Sequence, residues 1–125
     1  MNFLVNIIIS FLTIAIIGCS NAYEKKVVGN FTCFECIPMH DSIYLKKNPT
    51  LVLNSNKKFL LTNGNQKLSG TWQAGDNGDW TWIEFSFEGK IAEGRILGKN
   101  SEMIEFNNPW EFNLSNFSKV VFKKE

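Results

Sequence analysis

From residue 27 onwards, apolar and polar positions alternate in short runs, and clusters of Asn, Gly, Lys and Ser break those runs at regular spacing. A period of two sends successive side chains to opposite faces of a strand, so the pattern predicts strands joined by tight turns. Strands are expected at 27–34, 42–45, 50–53, 58–62, 67–73, 81–87, 91–97, 102–106, 110–113 and 119–123. Segments 54–56, 63–65, 75–79, 88–90 and 98–100 carry residues that accept positive φ or bond to their own backbone, and these are the expected turns. The clearest alternation runs from Trp80 to Phe87. Trp80, Trp82, Glu84 and Ser86 share one face; Thr81, Ile83, Phe85 and Phe87 share the other, which is the expected core side. No helical periodicity follows residue 20. An all-β antiparallel meander of eight to ten short strands is therefore expected. It must close into a barrel or fold as a sandwich, because closure removes exposed strand edges.

The first 20 residues follow a different pattern. Residues 3–17 are apolar except for Asn6, Ser10 and Thr13. A run of 15 residues is short for a membrane span, which takes about 20, and suits the apolar stretch of a signal peptide. It leads into Ile16, Ile17, Gly18 and Cys19, a bacterial lipobox pattern in which the cysteine receives a diacylglycerol thioether. Acyl chains contribute about 0.8 kcal/mol per buried methylene, so two or three chains anchor firmly. A competing cut follows Ser20, Asn21 and Ala22, which place small residues where an ordinary signal peptidase needs them; the protein would then be secreted. The expected layout is a signal peptide over 1–18, a polar tether over 19–26 and a β-barrel domain over 27–125.

Composition narrows the function classes. Removing the first 18 of the 125 residues leaves 107, enough for one domain. All 13 basic and 12 acidic residues lie beyond the signal and interleave, so the domain is nearly neutral and no nucleic-acid partner is expected. The chain has three cysteines, and either processing route disposes of Cys19. Cys33 and Cys36 then remain as an even pair in a compartment where disulfides persist.

The densest chemistry lies at Cys33, Glu35, Cys36, Met39, His40 and Asp41, and His40 is the sole histidine. Two sulfurs, a thioether and an imidazole suit copper(I) or zinc. The same cysteines also suit a structural disulfide. A regular strand would hold residues three apart on opposite faces, so the pair needs a turn to meet. Catalysis has little to build on. Asp41 is adjacent to His40 in sequence and poorly placed to orient it. Gly75 to Gly78 read as a turn rather than a phosphate loop. Of Trp72, Trp80, Trp82 and Trp110, most are expected in the core. Trp80 and Trp82 lie on the strand face away from it and form a candidate surface for a protein or small apolar ligand.

Three segments carry a family resemblance. Cys33-Phe34-Glu35-Cys36 comes first. The run from Leu51 to Leu61 resembles a Leu-x-Leu, turn, Phe hairpin, and Gly70-Thr71-Trp72 resembles the Gly-Thr-Trp strand that follows it. In this order they resemble small bacterial lipocalin-like lipoproteins, including the N-terminal domain of the NlpE-type copper-resistance and envelope-stress lipoproteins. The resemblance implies a lipocalin-like barrel. Thr32 stands where that type has Pro, Lys57 stands at the turn glycine, and residues 37–50 intervene before the first Leu-x-Leu strand. Copper binding and surface sensing therefore do not transfer with the barrel.

The combined expectation is a lipid-anchored, non-enzymatic binding or structural protein of the cell envelope. It would sit at the outer membrane in a Gram-negative host, with the membrane as a partner and without a resident cofactor. A copper or redox sensor built on Cys33, Cys36, Met39 and His40 is the second reading, and a secreted enzyme the third.

Overall fold

The computed structural model describes residues 21–39 and 48–125. Eight antiparallel strands close into a barrel. They are β1 (Gly29–Pro38), β2 (Thr50–Leu53), β3 (Lys58–Asn63), β4 (Gln66–Asp76), β5 (Thr81–Phe87), β6 (Lys90–Leu97), β7 (Met103–Phe106) and β8 (Phe117–Lys124). Each strand pairs with the next, and β8 pairs back onto β1, so the order is a pure meander. The β2–β3, β4–β5 and β6–β7 turns share one end with the start of β1 and the end of β8. We call this the proximal end. The β3–β4 and β5–β6 turns and the β7–β8 connection lie at the distal end.

Period-two alternation sets which residues fill the barrel. Ile83, Phe85 and Phe87 of β5 are buried, as are Leu51 and Leu53 of β2 and Phe59 and Leu61 of β3. An eight-stranded barrel is just wide enough for side chains to fill. Here phenylalanine does the filling: Phe31, Phe59, Phe85, Phe106, Phe117 and Phe122 are all fully buried. Gly70 makes room for this packing. A Cβ there would fall 2.9 Å from the Phe59 ring and 2.1 Å from the Ser86 carbonyl oxygen on the neighbouring strand.

Two expectations are corrected. The segment 110–113 is not a strand. Pro109–Phe112 form a 3₁₀ turn that Asn113 ends in the left-handed conformation, with φ 54°. Pro109 has no N–H to donate and its fixed φ suits a first helical position. The turn carries Phe112 into the distal mouth of the barrel. Its ring stacks on Phe85 at 4.4 Å and on Phe106 at 5.0 Å between centroids. The distal end is thus plugged by its own connection.

The described part of the expected tether is not free. Ala22–Val27 form a short helix, α1. Asn21 caps it by accepting a bond from the Glu24 amide, while the Glu24 carboxylate accepts from the Asn21 amide. This reciprocal arrangement is a capping box. Glu24 is only 2% exposed, and it also accepts a hydrogen bond from the Ala74 amide of β4 at 3.1 Å. Lys57 completes its surroundings with an ion pair at 3.2 Å. Val27 enters the core below. The helix therefore covers the proximal end. The expected strand at 42–45 lies outside the described residues, as do residues 1–20.

Lys57 has φ 66°, the left-handed conformation that favours glycine. The β2–β3 turn thus has the geometry expected of a turn glycine, while the lysine supplies the cation that Glu24 needs.

Candidate functional sites

The cysteine segment and the tryptophan face lie in different parts of the barrel. In β1, Cys33 pairs with Phe122 and Cys36 with Val120, with a register shift between Cys33 and Glu35. Phe34 is the extra residue of a β-bulge. Phe122 and Val120 both point into the barrel, and directly opposed residues share a face, so the bulge brings Cys33 and Cys36 to the same side. Their Cα atoms are 6.1 Å apart and the sulfurs are joined at 1.97 Å as a disulfide. The expected turn is replaced by a bulge within a continuous strand.

The rest of the sulfur and carboxylate cluster disperses. Glu35 points outward and pairs with Lys119 at 3.3 Å. Met39 is exposed, and its amide donates to the Asn116 carbonyl of the β7–β8 connection. His40 and Asp41 lie outside the described residues. Among the described residues, no three His, Cys, Asp or Glu side chains converge on a metal position.

The four tryptophans do not share the core. Trp72 alone is buried, with its indole N–H donating to the Asn54 carbonyl at 3.1 Å. Trp110 is exposed on the 3₁₀ turn. Trp82 lies outside the barrel and its ring covers Gly75 on the neighbouring strand, where an added Cβ would sit 2.7 Å from the ring. An aromatic laid over a cross-strand glycine shields bare backbone, which accounts for its half-burial. Trp80 is 40% exposed, and the Arg95 guanidinium stacks on its ring at 5.1 Å. The two side chains are thus on the outer face, as the alternation indicates, but Trp82 is engaged with the barrel and Trp80 is the one that meets solvent.

The Trp80 main chain is tied into the β4–β5 turn. The Asn77 side-chain oxygen accepts from the amides of Asp79 and Trp80, and the Asn77 amide donates back to the Trp80 carbonyl. Beside it runs a groove of about 230 Å³ along the outside of β6 and β7. One wall is the Trp80–Arg95 stack. The other is the chain leaving β7, where the Asn108 amide donates to Glu111 at 3.3 Å. The floor is Glu93, the Gly94 backbone and Glu105. Sequence reading overlooked this groove. Its one legible sign was Arg95, the single arginine among twelve lysines, two residues from Glu93 and therefore on the same strand face.

Glu84 and Glu93 stand directly opposite on β5 and β6. Like charges so placed are destabilising. Glu84 is partly satisfied by the Gln73 amide at 2.9 Å. Near the proximal end, the backbone amides of Glu102 and Asn100, followed by Lys123 and Lys124, hold the Glu102 carboxyl below its ordinary value. Burial lowers Lys124 from its ordinary value, against the pull of Glu102.

Comparison of the chain with protein-family models, with curated proteins and with solved structures returns no match.

Proposed function

We propose that this chain is a lipid-anchored envelope lipoprotein with a binding or structural role and no catalytic one, attached through Cys19. The single observation that carries this reading is the Cys33–Cys36 disulfide, lying downstream of a lipobox pattern at residues 16–19. A disulfide persists in oxidising compartments, and the lipobox is a route into one. The eight-stranded barrel is compatible with the resemblance to lipocalin-like lipoproteins. Its interior is packed with phenylalanine, which favours binding on the outer surface over a ligand held in the lumen. The outer membrane of a Gram-negative host is the proposed location.

Intact-mass spectrometry of the membrane-purified protein, before and after reduction and alkylation, tests this. A chain beginning at a diacylglyceryl Cys19, with two thiols that label only after reduction, is the expected result. A chain beginning at Tyr23 would overturn the anchor in favour of secretion. Thiols that label without reduction, or an added copper or zinc mass under native conditions, would bring the sensor reading forward.

A further inference from the structure

We infer that the groove between Trp80 and the β7–β8 connection binds a neutral saccharide. This names the ligand class for the binding reading above, and it does not depend on the anchor. Three observations lead to it. The first is the indole of Trp80, exposed at one wall and stacked against Arg95, on a backbone that Asn77 holds. Aromatic faces carry negative potential and attract the weakly positive C–H bonds on the apolar face of a sugar ring. A ring already immobilised loses little rotational freedom when it stacks.

The second is the mixture of hydrogen-bonding groups in reach of that indole. Arg95 only donates, the carboxylates of Glu93, Glu105 and Glu111 only accept, and the Asn108 amide does both. A hydroxyl group donates and accepts. A polyhydroxylated ligand can therefore satisfy both kinds of partner at once. A cationic ligand would satisfy the carboxylates but meet Arg95, and an anionic ligand would meet three carboxylates. Neutral, hydroxyl-rich chemistry is the one that fits every wall.

The third is shape. The groove is shallow, open and about 230 Å³, below the usual range of enclosed drug-sized pockets. It suits one or two rings of a chain that extends beyond it along the strands. Among the described residues, Glu93 and Glu105 make no ion pair, so their carboxylates are available to such a ligand while Arg95 stays on the Trp80 ring.

The test is calorimetric titration of the full-length protein with β-1,4-linked hexasaccharides of glucose and of N-acetylglucosamine, with pentalysine and an oligogalacturonate as charged comparisons. At least one neutral hexasaccharide should bind, with affinity changing less than about twofold when salt is raised tenfold. Trp80→Ala should weaken it by about tenfold or more, and Trp80→Phe should retain most of it. Trp80 is a surface residue, so circular dichroism should show both variants folded. Failure of both neutral hexasaccharides to bind overturns the inference, as does binding that is unchanged in Trp80→Ala. Salt-sensitive binding of pentalysine alone would replace it with a basic partner. None of these outcomes bears on the mass of the mature chain, so failure here is distinct from failure of the lipoprotein reading.

Discussion

The Glu24 carboxylate accepts a hydrogen bond from the Ala74 amide, joining residues fifty positions apart across the proximal end of the barrel. Two further partners, the amide of Asn21 and the ammonium of Lys57, converge on the same side chain. A buried carboxylate is tolerated only when its oxygens are occupied, and here they are. Replacing Glu24 by Ala would leave the Ala74 amide without a partner and the Lys57 charge uncompensated. We predict a loss of about 3 kcal/mol in urea unfolding. Glu24→Gln keeps an acceptor oxygen and should lose less. A loss below about 1 kcal/mol in the alanine variant would show that α1 rests on the barrel without supporting it.

The distal plug offers a second prediction. Phe112 is fully buried and stacks on Phe85 and Phe106. Phe112→Ala should cost about 3–5 kcal/mol, from lost transfer energy and an unfilled space. The same variant should acquire affinity for benzene, because apolar cavities of that kind stay dry and accept small aromatics. Thermal melts with and without benzene would read both effects. A small loss with no stabilisation by benzene would mean that the barrel collapses around the gap.

The disulfide closes a very short loop, with the cysteines only three positions apart. Chain entropy then limits its contribution to about 2 kcal/mol. Cys33→Ser with Cys36→Ser should lower the melting temperature and leave the barrel folded, because the β1–β8 pairing continues on both sides of the bulge. Loss of the folded state on reduction would show that the bridge holds the bulge in register.

Stability at acid pH should depend on Glu102. Its carboxyl is held below the ordinary value of 4.5, mainly by the amide of its own residue and that of Asn100. A carboxylate depressed in the folded state stabilises it above the unfolded value, and the contribution is lost as pH falls through the folded value. Glu102→Gln should therefore flatten the acid limb of stability below pH 4.5. Lys124 acts at the alkaline limit. Burial lowers it from 10.5, so the unfolded chain binds more protons there, and stability rises as pH increases from the folded value towards 10.5. NMR titration of both side chains, with unfolding curves across pH, checks the two signs.

Much of the barrel was legible because most of its strands obey one rule. β2 and β5 fall at the expected residues, and the buried set of Ile83, Phe85 and Phe87 follows from alternation alone. The capping box of α1 was also written in the chain, as Asn21 followed three residues later by Glu24. It is hidden by its brevity, since a six-residue helix has too few turns to display a period. Asn108-Pro109 likewise signalled a break where a strand had been expected at 110–113. The bulge at Phe34 has no sequence mark: nothing in Cys-Phe-Glu-Cys distinguishes a bulge from a turn. The tryptophans were legible only in part. Alternation assigns Trp80 and Trp82 to the outside, but only the fold shows Trp82 laid over Gly75 and Trp80 laid against Arg95.

The Asn21 side-chain amide donates to the Ala74 carbonyl at 2.8 Å, so the chain is fastened to the barrel at its very first described residue. Cys19 is two residues away, a reach of about 7 Å at full extension. A protein held by lipid at that cysteine would have almost no leash. It could not tumble above the bilayer as a tethered float does. It would stand upright on its proximal rim, with the Phe112 plug uppermost and the Trp80 groove turned sideways, available to whatever lies alongside in the plane of the envelope.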